Sequence, residues 1–305
     1  MAYQTLTQEH LTWTDITNPT VNDIARLGKA YPAFHPLDLE DCLSRIERPK
    51  IDAYDDYLFI VMHFPIWDEG RNISRASEVN FFIGVGYLVT IHDGTLKPLT
   101  TLFDQCQNNP QSCPELVGRG AGRLLHTAID RLVDYIFPIL YKVDANILQI
   151  EESLFDDDSQ HIIQEISLIR RDIIALRRII RPQMPVIQNL ELVDRPFIRE
   201  DLDIYFGDIL DHLQKASDLV NEHAEIIVSL ADTNDALATY RINEIMRILT
   251  VISVIMLPLT LLSGILGMNV AFPFMDGFKT FWEVIGMMVL ISFGMLIYFK
   301  YQKWL

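Results

Sequence analysis

One face of a single segment carries most of the residues that could act on an ion. Asp232, Asn243, Met246, Leu249, Ser253, Leu257, Thr260, Gly264 and Gly267 fall within an arc of about 120° when the segment is wound at about 100° per residue. The rest of the span is bulky and apolar, with Val251, Ile252, Ile255, Leu261 and Leu262. A stripe of polar and small residues on such a helix has two readings. Small side chains allow close helix packing. Alternatively, identical copies around an axis turn the stripe into a pore lining. Pro258 lies in the same segment and can kink it, and Thr260 could then satisfy a carbonyl freed by the proline.

Other groupings point to less chemistry. Cys42, Cys106 and Cys113 form no CxxC pair and have no histidine cluster nearby, so they read as reduced, unligated thiols. His35, Glu40 and Asp41 have the types of a hydrolytic metal site, but they fit a capped helix start at Pro36. The run from Arg170 to Arg181 places arginines on one helix face, with Asp156, Asp157 and Asp158 before it. A solvated helix after an acidic turn accounts for both. No nucleophile–base pair and no phosphate loop is visible, so no enzyme is expected. The formal net charge of −16 argues against nucleic acid as a partner, because phosphate binding needs a basic face.

The elements that position the stripe follow from hydropathy. The chain has 305 residues, enough for one ordinary soluble domain and a membrane anchor. No charged residue occurs from Ile248 to Met275, and the run from Ile248 to Met268 matches the roughly 20 apolar residues that a bilayer core requires. A second apolar stretch covers Val284 to Phe299, extended by Phe281 and Trp282. Between them, Pro273, Asp276 and Gly277 are loop residues, so the two spans form a hairpin. Arg241 and Arg247 precede the first span, Lys300 and Lys303 follow the second, and the loop has Lys279 alone. The bias of basic residues puts both termini in the cytoplasm. The N-terminus, MAYQTLTQEHLTWTD, has neither the pattern of a signal peptide nor that of a transit peptide, so the N-terminal domain is expected to stay where it is made.

Upstream of the first span, the sequence from Ile204 onward reads as one helix, about 65 residues or roughly 97 Å long. A single stalk of that length cannot bury its apolar face alone, so partner copies of the chain are expected beside it. Strand patterns occur at Tyr57–Met62, Val79–Gly84 and Tyr87–His92, with a hairpin turn between Gly84 and Gly86, and helical segments follow from about Arg119. The expected fold is therefore an α+β domain, a mixed sheet with flanking helices, followed by a stalk helix and two C-terminal transmembrane helices. The divisions are 1–203 for the domain, 204–247 for the stalk, 248–268 for the first span, 269–280 for the outer loop, 281–299 for the second span and 300–305 for a basic tail.

The first span ends in Gly267, Met268 and Asn269. At the outer end of the first of two C-terminal spans, this tripeptide resembles the Gly-Met-Asn signature of the CorA family of magnesium and cobalt channels. The run TNDALATYRINEIMRILTVISVIMLPLTLLSGILGMN is similar to the stalk and pore helix of that family. The ending YFKYQKWL resembles its basic tail, carried here by Lys300 and Lys303, and HPLDLEDCLSRIERPKIDAYDDYLFIVMHF resembles a block of its cytoplasmic domain.

The resemblance implies a homopentameric funnel in the cell (inner) membrane, in contact with lipid, whose first spans line the pore. Asn269 would form a ring at the outer mouth, where amide oxygens accept from the water shell of Mg²⁺, an ion that gives up water reluctantly. Gly267 would permit a close turn and Met268 would pack beneath the ring. Asn243, Met246, Leu249, Ser253, Leu257 and Thr260 match pore-lining positions, with Met246, Leu249 and Leu257 as apolar constrictions. Asp232 and Asp208 match stalk carboxylates that bind regulatory Mg²⁺ between subunits. The chain also departs from the pattern. Leu266 stands where tyrosine is usual, and the loop lacks Met-Pro-Glu-Leu, leaving Asp276 to attract cations at the mouth. Mg²⁺ and Co²⁺ are thus the expected cargo. The alternatives are proton-coupled Zn²⁺ transport of the ZntB type and a non-conducting membrane-anchored scaffold.

Overall fold

The computed structural model describes every residue except 1–2, 9–10, 45–46, 72, 110–112, 114–119, 155–158, 193–194, 199–201, 269–277 and 305. These residues fall into two compact units, Met1–Ala231 and Asp232–Leu305. Asp156, Asp157, Asp158, Asn269 and Asp276 lie outside the described residues.

The first unit is built on a mixed sheet. Its strands are β1 (Tyr3–Gln8), β2 (Leu11–Thr17), β3 (Lys50–Ala53), β4 (Tyr57–Asp68), β5 (Ile73–Gly84) and β6 (Tyr87–His92), in the spatial order β1-β2-β6-β5-β4-β3. The β2–β6 pair is parallel and the other pairs are antiparallel. The strand patterns read from the sequence fall inside β4, β5 and β6. The β4–β5 ladder runs on through His63↔Glu78 to Asp68↔Ile73, where Ser74, Arg75, Ser77 and Glu78 hide the first half of β5 from a hydropathy reading. Strands β1 to β3 escaped that reading because they are short and largely polar.

Strand alternation divides the core in two. Leu58, Ile60, Met62 and Phe64 join Val79, Phe81, Ile83 and Leu88 on one face, while Tyr57, Phe59 and Val61 join Phe82, Val89 and Ile91 on the other. Both faces are covered, so β4 reads as a nearly unbroken apolar run.

The second face is covered by α1 (Val21–Ala30) and α2 (Pro36–Asp41). Thr20 and Asp23 form a capping box on α1. The expected capped start at Pro36 is present: the His35 Nδ1 accepts from the Leu37 N–H at 3.2 Å. Asp38 of α2 is buried and accepts from the Tyr57 hydroxyl at 2.8 Å and the Tyr54 hydroxyl at 3.1 Å. Burial pushes its carboxyl up, and these two bonds pull it partly back.

The first face is covered by α3 (Lys97–Asn108), α4 (Ala121–Asp134), α5 (Ile136–Ser153), α6 (Ser159–Ile180) and α7 (Gln183–Leu192). The long helix α8 (Asp203–Leu266) begins in the same unit. Its Phe206, Ile209, Leu213, Ala216, Val220, Ile227 and Leu230 are buried in that core. The expectation that the apolar face of the stalk depends on partner copies therefore does not hold over this stretch. The chain's own core takes it up, at helical three- and four-residue steps.

Gly122 in α4 shows how tight this packing is. A Cβ there would stand 2.6 Å from the Phe197 carbonyl oxygen and 2.9 Å from the Leu202 side chain. Backbone cannot swing aside, so Gly122→Ala should destabilise the unit by about 1–3 kcal/mol despite the better helix propensity of alanine. Gly207→Ala in α8 meets only the Glu191 carboxylate, at 3.6 Å, and should be neutral or stabilising. The melting temperature of Gly122→Ala should fall while that of Gly207→Ala stays the same or rises; equal losses would contradict the packing argument.

In the second unit α8 continues without a break through Pro258 to Leu266, and α9 spans Phe278–Tyr301. Both helices are long and apolar enough to cross a membrane. Val251 and Phe299 are buried here, whereas Ile252, Leu261, Val289 and Leu290 are exposed. Such a surface is stable in lipid and not in water.

Candidate functional site

Winding α8 as a regular helix puts the stripe on one side, as the three- and four-residue spacing requires. Asn243, Met246, Leu249, Ser253, Leu257, Thr260, Gly264, Gly267 and Met268 are all exposed along it. Ser253, Leu257, Thr260, Gly264 and Met268 line one shallow groove, which Met256, Leu261 and Ile265 extend. Leu261 shares the bearing of Asn243, and Met256 and Ile265 flank the arc. They border it because side chains this long reach across the neighbouring turn.

Three hydroxyls on this segment are turned back on the helix. Ser253 donates to the Leu249 carbonyl at 2.8 Å, Thr260 to the Met256 carbonyl at 2.8 Å and Thr250 to the Met246 carbonyl at 2.7 Å. Thr260 thus does not serve the proline. The carbonyl that lacks its partner across Pro258 is that of Val254, four residues earlier, whereas Thr260 bonds the carbonyl four residues before itself.

Past Leu266 the chain tightens. The Gly267 N–H donates to Ser263 at 2.9 Å and the Met268 N–H to Ile265 at 3.2 Å. A Cβ on Gly267 would stand 3.0 Å from the Ser263 carbonyl oxygen. Met268 is 57% exposed at this end. At the far end of α9, Lys300 and Lys303 are both exposed, and Lys303 takes a left-handed φ of 57° as the helix closes.

Asp208 and Asp232 are exposed on α8. Among the described residues, the grouping that could hold a metal is a different one: Asp130, Asp134 and His212, whose ligand atoms all lie within 4.8 Å of one another. Asp130 and Asp134 are one turn apart on α4, and α8 brings up His212, with its Nδ1 3.5 Å from Asp134. Burial and the Asp134 charge push the Asp130 carboxyl up, His126 and His212 pull it down, and Asp208 adds a further upward push. A divalent cation would offset the repulsion among these carboxylates. The two carboxylates suit Mg²⁺, directly or through water, and the imidazole suits Co²⁺ or Zn²⁺. The signal for the aspartates, an i, i+4 pair of acids, was present in the sequence; the approach of His212 was not.

Comparison with known proteins agrees with this architecture. The family described as CorA-like Mg²⁺ transporter protein matches residues 8–301. YfjQ of Bacillus subtilis is 32% identical over 297 residues, covering 96% of this chain and 89% of that protein. The cobalt/magnesium transport protein CorA of Thermotoga maritima is 29% identical over 298 residues, covering 96% of this chain and 83% of that protein. The complete structure of the CorA magnesium transporter from Methanocaldococcus jannaschii superposes with a TM-score of 0.87 at 22% identity, covering 98% of this chain and 94% of that one. The mixed-sheet domain, the long helix and the two apolar C-terminal helices are the shared fold. The chain therefore belongs to the CorA-like Mg²⁺ transporter family, membrane proteins that move divalent metal ions and are transporters, not enzymes.

Proposed function

We propose that this chain forms a homopentameric channel in the cell (inner) membrane, with both termini in the cytoplasm, and that it conducts hydrated Mg²⁺ and also Co²⁺. The observation that carries the reading is the exposed stripe of polar and small residues on α8, from Asn243 to Met268, which from Ile248 onward runs along an otherwise largely bulky and apolar helix. Five such stripes around an axis would make a pore with amide and hydroxyl oxygens at Asn243, Ser253 and Thr260, and apolar narrowings at Met246, Leu249 and Leu257 that close by excluding water. Gly267, Met268 and Asn269 would form the outer selectivity ring. Asp276 would concentrate cations at the mouth, and Lys300 and Lys303 would anchor the tail at the lipid headgroups.

Flux into proteoliposomes tests this. Mg²⁺ and Co²⁺ should enter when internal Mg²⁺ is low, and the detergent-extracted protein should have about five times the 35.2 kDa mass of one chain. A monomer, no divalent flux, or Zn²⁺ uptake that follows an imposed proton gradient without Mg²⁺ flux would each overturn the reading.

Regulation by cytoplasmic Mg²⁺ belongs to the same proposal. Asp208 and Asp232 are free of the core and available to a neighbouring copy, and Asp208 lies close enough to Asp130 to influence its charge. A cation bridging such carboxylates would hold the subunits in the closed arrangement. Asp232→Ala should then raise the internal Mg²⁺ needed for half-inhibition several-fold, with the open-state flux unchanged. Inhibition at the original Mg²⁺ concentration would remove Asp232 from the mechanism.

A further inference from the structure

The first unit holds a second opening, where β4, α5 and α6 meet. The cavity measures about 280 Å³. Trp67 near the end of β4 supplies an aromatic face, and the Lys142 ammonium of α5 already sits over it, 4.0 Å from the ring centroid. Asp172 of α6 lies on the same wall and is only 4% exposed. One of its oxygens accepts from the Ser74 N–H at 2.5 Å. Glu165, two turns earlier on α6, adds a second carboxylate to the lining. Leu168 and Ile169 of α6 and Ile150 of α5 supply the aliphatic lining, and the Asn146 and Gln149 amides of α5 complete it.

This chemistry selects one class of ligand. Two carboxylates face one ammonium that is already engaged, so an anion would be repelled. A hydrated metal ion has no use for an aromatic ring and three aliphatic side chains. An organic ammonium uses all of them: the ring attracts its charge, the aliphatic wall takes its methylenes and the carboxylates hold its second charge. Burial pushes the Asp172 carboxyl up, and the Ser74 bonds and the Lys142 charge only partly reverse this. A second cation in the cavity would favour the ionised form further.

We propose that this cavity binds a short linear alkyl diamine, one ammonium replacing that of Lys142 on the Trp67 ring and the other resting against Asp172 and Glu165. Lys142 is then an internal competitor for the site.

Calorimetric titration of the full chain in detergent with 1,4-diaminobutane tests the site, with 1,4-butanediol and MgCl₂ titrated alongside. Saturable binding of the diamine is expected, with none of the diol. Trp67→Leu should weaken the diamine about fivefold, the size of an exposed cation–π contact. Lys142→Met, which removes an exposed side chain and leaves the fold alone, should tighten it by a similar factor. That gain on deleting a residue is not what a purely structural role for Lys142 would produce. Absent saturation, equal binding of the diol, indifference to both variants, or Mg²⁺ binding with the same dependence on them would each overturn the proposal.

Discussion

Asn269→Ala should reduce Mg²⁺ uptake into proteoliposomes by more than about 100-fold while leaving the oligomer intact. Each subunit of the proposed ring contributes one amide oxygen, and a hydrogen bond to a charged group's water shell is worth roughly 1 kcal/mol. Five such losses together exceed the roughly 2.7 kcal/mol that corresponds to a 100-fold change in rate. Asn269→Asp should behave differently: it keeps the acceptor oxygens and adds charge, so entry survives but release slows, and flux falls with tighter apparent affinity. Uptake by Asn269→Ala at the original rate would dissociate the motif from conduction. The helix leading to it makes the test clean, since α8 ends at Leu266, before the substituted position.

The second large effect is on folding. Phe82→Ala should destabilise the first unit by about 3–5 kcal/mol, the usual range for emptying a buried phenylalanine site. Phe82 is fully buried, stacked on Phe34 at 4.3 Å between ring centroids and 16° between planes, and tilted against Phe59 at 4.6 Å. Phe34 sits in the connection between α1 and α2, so this stack, with Ile24 and Leu27 buried in the same cluster, helps fasten that thin helical layer to the sheet. Hydrogen exchange should rise first over Val21–Asp41 and leave α4 to α7 protected. A uniform rise across the unit would mean that the two faces of the sheet do not fail separately.

What was legible in the sequence divides by range. The spans, the long helix and the stripe are written in one continuous segment, where periodicity and hydropathy act on neighbours. The capped start at Pro36 was readable for the same reason. The parallel pairing of β2 with β6, Thr12↔Tyr87 to Thr17↔His92, joins residues far apart in the chain, so the partner of β6 leaves no local trace. His212 meets Asp134 only because α8 packs on α4. The burial of Phe206 to Leu230 in the chain's own core is likewise long-range, so an apolar stripe alone cannot tell that core from a neighbouring copy.

The hydroxyl groups of Thr250, Ser253 and Thr260 have a consequence for the sign of the charge that can pass. Each has given its hydrogen to a carbonyl one turn earlier, so only oxygen lone pairs remain to face outward. A chloride ion passing these three hydroxyls would be offered no donor by them. A hydrated cation brings its own hydrogens in its water shell and needs acceptors alone. In the proposed pore, this internal bonding would favour cations at these three positions without any charged side chain.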